Sequence, residues 1–237
     1  MIDTILFDLD GTVLPMDIDK FMKLYMYNLG VFFKDKIDPK LLAESIMKST
    51  EVMVRDTSNK KNEDVFMDYF DTLVDGDIEE YKTMFLQFYE TMFDNVQAST
   101  SKNEYMRKSV DLLKEKGYKI VLATNPLFPL VANHHRIQWA GFKPEDFGYI
   151  SCFEQNTFCK PHIEYYQEVL YEIQKKPEQC MMIGNDVFDD LPVRKLGVQT
   201  YLIKEHLLNK YNQDYETDYE GTYEEFYKFV CGLDLIK

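Results

Sequence analysis

Five short apolar runs punctuate the chain: Thr4 to Asp8, Lys119 to Thr124, Tyr149 to Cys152, Cys180 to Gly184 and Gln199 to Ile203. Each is short enough to be a strand, and helix-like sequence lies near each one. Lys102 to Lys116 spaces Tyr105, Met106, Val110, Leu112 and Leu113 along a helix, and Gly117 follows as a C-terminal stop. Residues 161 to 175 repeat the pattern with Tyr165, Tyr166, Val169, Leu170 and Ile173, leading into Pro177 and the next apolar run. Alternating strand and helix predicts an α/β fold, a Rossmann-like doubly wound parallel sheet with helices on both faces.

The interval from about Met16 to Gln97 breaks this alternation. It is rich in Phe, Tyr, Met and Lys, has helical periodicity and lacks a convincing strand. We read 16–97 as an inserted helical domain that divides a core of residues 1–15 and 98–237. Asp38-Pro39 has the form of an N-cap followed by a first-turn proline, and further helices are expected around 63 to 74 and 77 to 93. Aromatic and methionine side chains of the insert, Phe21, Tyr25, Phe70 and Phe85 among them, are expected to pack rather than to bind. Thr222 with Glu225 forms a capping box for a last helix to about Val230, and Tyr211 to Tyr219, acidic and tyrosine-rich, is expected to be an exposed connection.

With 237 residues, 45% of them hydrophobic and 29% charged, the chain can bury a full core without staples. Its 27 basic against 41 acidic residues give a net charge of -14, which disfavours nucleic acid and anionic membranes as partners. Cys152, Cys159, Cys180 and Cys231 show no CxxC spacing, no signal segment opens the chain, and no apolar stretch approaches the roughly 20 residues of a membrane span. A cytoplasmic protein with reduced thiols is the expectation.

Polar residues gather where the predicted strands end. Asp8-Leu9-Asp10-Gly11-Thr12 follows the first, Thr124-Asn125-Pro126 the second, and Gly184-Asn185-Asp186 with Asp189 and Asp190 the fourth, while Cys159-Lys160-Pro161 precedes a helix. In an open parallel sheet such ends converge on one crevice. On a strand Asp8 and Asp10 would share a face, and two carboxylates there repel unless a cation or a shared proton intervenes. Gly11 lets the backbone turn away.

These four segments, in this order, resemble the haloacid dehalogenase-like (HAD) hydrolase superfamily, over about residues 1 to 14 and 100 to 205. The family's helical C1-type cap falls where the insert lies. The resemblance implies a phosphatase acting on a small phosphorylated metabolite with Mg²⁺ as cofactor. It makes Asp8 the nucleophile that forms an aspartyl-phosphate and Asp10 the acid, then base. It has Thr124, the N–H of Asn125 at the start of the next helix, and Lys160 bind the phosphoryl group. Asp8, the Asp10 backbone carbonyl and Asp186 would hold Mg²⁺, supported by Asp190.

The acidic motif departs from the family's commonest form, because Asn185 stands directly after the glycine. Asn185 with Asp189 is therefore an alternative register, and Asp189 an alternative partner for Lys160. A phosphomutase of the same fold and a non-catalytic scaffold remain as rival readings, whereas dehalogenation needs neither Asp10 nor metal ligands. His134, His135 and Arg136 are read as surface or core residues, His162 as merely near Lys160, and Asp17 and Asp19 as capping or solvated.

Overall fold

The computed structural model describes residues 1–236. Five parallel strands, β1 (Thr4–Phe7), β2 (Lys119–Leu122), β3 (Cys180–Gly184), β4 (Gln199–Ile203) and β5 (Tyr219–Gly221), form one sheet in the order β2-β1-β3-β4-β5. The helices number α1 (Ile18–Phe33), α2 (Pro39–Arg55), α3 (Asn62–Asp71), α4 (Ile78–Thr91), α5 (Glu104–Glu115), α6 (Leu130–Trp139), α7 (Ile163–Glu172) and α8 (Tyr223–Gly232).

Strand periodicity sorts the core into two layers. Ile5, Phe7, Ile120, Leu122, Met181 and Ile183 belong to the cluster that includes Val110 of α5 and Phe226 of α8. Leu6, Val121 and Met182, the residues between them, pack with Tyr166 and Val169 of α7. Both faces are covered, as the apolar runs predicted.

Helices α1 to α4 follow one another in the segment inserted between β1 and β2, each begun by a specific device. Asp17 accepts from Lys20 N–H at 3.0 Å, Asp38 from Lys40 and Leu41, and Asp77 from Glu79. Helix α3 has no side-chain cap. Its first two N–H groups instead reach the core loop, Asn62 donating to Asn156 O (2.9 Å) and Glu63 to Phe153 O (3.1 Å). Orphan donors at a helix start thus fasten the insert to the core.

The fifth strand is not the expected one. Tyr149 to Cys152 makes a single parallel bridge, Ile150 to Leu122, because the Asn156 side chain claims the Cys152 N–H and turns the chain into the loop that receives α3. Strand β5 comes instead from the end of the acidic connection. Tyr219 and Glu220 are exposed there, so the edge carries no apolar run to betray it.

Candidate active site

The order β2-β1-β3 reverses direction at β1, and a crevice opens beyond the carboxyl ends of β1 and β3. Asp8 lies immediately past β1, its N–H donating to Ile183 O at 2.9 Å. The chain then turns, with Gly11 at φ +86°, a conformation that suits glycine. Asp8 and Asp10 therefore stand in a turn rather than on a strand face. Thr12 Oγ1 donates to Asn185 Oδ1 (2.9 Å), which welds this turn to the one after β3, and Tyr223 Oη at the start of α8 donates to Gly11 O (2.9 Å).

The two aspartates solve their repulsion with separate cations. Lys160, almost wholly buried, reaches Asp8 Oδ1 at 2.9 Å and Asp190 Oδ1 at 2.6 Å. Asp10 is paired instead with Arg136 of α6, a fully buried arginine whose other amino group is held by Asn133 Oδ1. Arg136 is a residue of the crevice that sequence reasoning does not single out. The signal was present: helical spacing puts Arg136 on the face of Ala132 and Ala140, and an arginine on an apolar face needs a buried partner. Neither His134 nor His135 joins the crevice contacts; His135 bonds Asp94 at 2.7 Å.

Asp190 spends its second oxygen on the N–H groups of Asn185 (3.0 Å) and Asp186 (2.9 Å), and any Cβ on Gly184 would collide with that carboxylate. Asp190, not Asp189, is thus the partner of Lys160. Asp189 accepts from Asn125 Nδ2 at 3.1 Å. Asn185 is committed to the turns around it, its Oδ1 accepting from Thr12 and its Nδ2 donating to His206 O at 2.6 Å. Asp186 Oδ1 caps the N–H groups of Phe188 and Asp189, and no hydrogen bond takes Oδ2 among the described residues.

Thr124 is buried at the end of β2, its carbonyl accepting from Tyr165 Oη at 2.8 Å while its own hydroxyl makes no hydrogen bond among the described residues. Asn125 does not open a helix. Helix α6 starts at Leu130, because Pro126 and Pro129 keep the residues before them out of helical conformation. Asn125 Oδ1 meanwhile accepts from the Lys160 N–H at 3.2 Å. His162 lies beside this loop with its Nε2 2.9 Å from Val54 O of α2, a contact between core and insert.

Burial, opposed by Lys160 and reinforced by the Asp190 and Asp10 charges, pushes Asp8 up to about 8. Asp10 is raised by burial that outweighs Arg136, Asp186 by burial and Asp190, and Asp189 by burial to about 6. Lys160 moves upward because two carboxylates outweigh its own desolvation. The crevice is overcharged with acid, a condition that an added cation relieves.

Its donor set suits a hard cation. No three acidic, His or Cys side chains converge as a ready-made metal cluster among the described residues. What remains is the oxygen of Asp8 not held by Lys160, Asp186 Oδ2 and backbone carbonyl oxygen. That is a small all-oxygen set of the kind used by Mg²⁺, which keeps several waters.

The sequence matches the haloacid dehalogenase-like hydrolase family over residues 2–196. It is 24% identical over 199 residues to pyrophosphatase PpaX from Bacillus cereus (strain Q1), covering 84% of this chain and 82% of that one. Its fold is similar to that of the putative HAD-hydrolase YfnB from Bacillus subtilis, described as bound to magnesium (TM-score 0.59, 18% identity, 97% and 99% of the two chains). It is also similar to that of 2-haloacid dehalogenase from Pseudomonas syringae pv. Tomato DC3000 (TM-score 0.66, 16% identity, 98% of each). With its sheet order, its crevice and a family match across most of its length, the chain belongs to the haloacid dehalogenase-like hydrolases.

Proposed function

We propose that this hydrolase is a Mg²⁺-dependent phosphatase of small phosphorylated metabolites, with residues 1–15 and 98–237 as the catalytic core and 16–97 as a cap. The observation that carries the reading is the buried Asp8–Lys160–Asp190 chain at the sheet's switch point. Lys160 fixes the Asp8 carboxylate, so the oxygen it holds is oriented for in-line approach to phosphorus while the other is left for a cation. A dianionic monoester repels an attacking carboxylate. Lys160, the Thr124 hydroxyl and the Asn125 N–H would offset and bind its charge.

In the first step a bond forms between the Asp8 oxygen and phosphorus while the bond to the ester oxygen breaks, and Asp10 gives that oxygen its proton. In the second, Asp10 takes a proton from water, whose oxygen attacks phosphorus and frees Asp8 with release of phosphate. Arg136 holds the Asp10 carboxyl toward this site and so serves as a positioning residue. Asp8, Asp186 and the Asp10 carbonyl would hold Mg²⁺, which when bound neutralises phosphoryl charge and keeps Asp8 ionised. Asp190 and Asp189 support the set through Lys160 and Asn125.

The similarity to a pyrophosphatase and to dehalogenases leaves the choice of reaction to these residues. Dehalogenation would use neither Asp10 nor a metal. The test is hydrolysis of p-nitrophenyl phosphate with and without Mg²⁺. Turnover that depends on Mg²⁺ and is lost in a folded Asp8→Asn variant agrees with the proposal; undiminished turnover in that variant refutes it.

A further inference from the structure

Between α1 to α4 and residues 127–129, 153 and 154 lies a partly open cavity of about 530 Å³, well within the range of small-molecule sites. None of Asp8, Asp10, Thr124, Asn125, Lys160 or Asp186 lines it. Phe128 is the link to the crevice, since it lines the cavity and carries the Arg136 guanidinium 4.4 Å from its ring centroid. Met22, Met26, Met47 and Met67 contribute to the walls, together with Phe66 and Phe85. Methionines adapt their shape to an apolar guest.

The polar groups on the wall are already engaged, with one exception. Thr50 Oγ1 donates to Ile46 O and Thr83 Oγ1 to Glu79 O, each at 2.9 Å. Tyr25 and Tyr89 share a hydrogen bond of 2.7 Å, and Glu154 accepts twice from the Leu130 N–H. Lys82, the single cation, pairs with Glu79 at 2.9 Å. Only the Glu63 carboxyl makes no side-chain hydrogen bond or ion pair among the described residues, and burial with Glu154 nearby holds it above the usual carboxylate range.

A sugar would find too few open partners here for its many hydroxyls, the Glu63 carboxyl chief among them. An anion would face two carboxylates across from one committed lysine. We infer that this cavity is a second binding site, separate from the phosphoryl crevice, for a largely apolar, uncharged or cationic organic molecule that directs an N–H or O–H at Glu63. That body is either the organic part of the ester cleaved in the crevice or an independent ligand. The site itself does not rest on the phosphatase reading.

The test titrates the full chain with N-phenyl-1-naphthylamine, an uncharged aromatic with one N–H. Saturable one-to-one fluorescence enhancement is expected, with affinity reduced about tenfold by Leu86→Glu, equivalent to about 1.4 kcal/mol. Leu86 is half exposed on the cavity wall, so this change spares the core. Met22→Trp, which fills the cavity from within, is expected to abolish binding without loss of helical circular dichroism. The sulfonated analogue 8-anilinonaphthalene-1-sulfonate is expected to bind about tenfold more weakly than the uncharged dye. Absence of saturable binding, affinity indifferent to both variants, or equal affinity for the sulfonated dye would overturn the inference.

Two further arms identify the source. Competitive inhibition of p-nitrophenyl phosphate turnover by the dye, with a KM for naphthyl phosphate below that for methyl phosphate, supports the site as the ester's organic pocket. Dye binding that leaves KM unchanged supports an independent ligand. A failure of the phosphatase reading would appear as activity retained by Asp8→Asn and would not alter dye binding.

Discussion

The crevice and the helical insert are both well buried, yet they are held by different forces. In the crevice Lys160 is shared by two carboxylates and Arg136 by Asp10 and Asn133, so buried ion pairs hold the site together. In the insert aromatic rings do the packing: Phe33 on Phe85 at 4.9 Å, Phe70 on Tyr81 at 5.4 Å and Phe70 on Phe85 at 5.5 Å. Even its buried polar contact, Tyr25 with Tyr89, is neutral. Removing one member of a buried charge set strands the rest, whereas removing a ring leaves a cavity. Changes in the crevice should therefore be read mainly in rate, and changes in the insert mainly in stability.

Lys160→Met gives the largest expected effect short of the nucleophile itself. It leaves Asp8 and Asp190 buried without a cation, and turnover of p-nitrophenyl phosphate should fall about 10³-fold with a stability loss of about 3 kcal/mol. Steady-state kinetics and urea unfolding measure the two parts. A variant that loses stability alone would erase the contrast between crevice and insert.

Phe70→Ala should do the reverse. Phe70 is fully buried against three aromatic neighbours, and its truncation should cost about 3 to 4 kcal/mol in the urea midpoint while kcat changes less than about threefold. A collapse of kcat in the folded variant would mean that insert packing sets the chemistry.

Arg136→Met sharpens the comparison within the crevice. Positioning of Asp10 matters most when the departing oxygen needs a proton, so kcat should drop about 10²-fold for an alkyl monoester and much less for p-nitrophenyl phosphate. Equal losses on both substrates would make Arg136 a structural residue only.

A smaller effect concerns Asp189. Burial raises its carboxyl from 3.8 to about 6 in the folded chain, so the folded state binds this proton more tightly than the unfolded one. Its contribution is therefore full below 3.8 and is lost as pH rises through about 6. Asp189→Asn should make metal-free protein more pH-independent over that window in urea unfolding. An unchanged slope would remove Asp189 from the buried charge set.

Much of this division was legible in the sequence. Strands β1 to β4 announce themselves as apolar runs, and the Asp38 and Thr222 caps sit where their turn chemistry predicts. Local sequence also brought Asp8, Lys160 and the acidic motif to one rim. What it could not fix was pairing across space. Arg136 and Asp10 are 126 positions apart, and nothing local shows which of Asp189 and Asp190 turns inward to Lys160. Strand β5 was hidden for a related reason, since an edge strand with exposed Tyr219 and Glu220 gains its place from β4 and not from its own hydrophobicity.

The central claim is that Asp8 forms a covalent bond to phosphorus, and mass spectrometry of Asp10→Asn tests it most directly. p-Nitrophenolate departs without a proton, whereas water attack on the intermediate still needs the missing base, so the intermediate should accumulate. Mixed with p-nitrophenyl phosphate and Mg²⁺ and quenched in acid, the variant should gain one phosphoryl group, about 80 Da, on the peptide that contains Asp8. Phosphate release without any adduct, or an adduct on another peptide, would contradict the account.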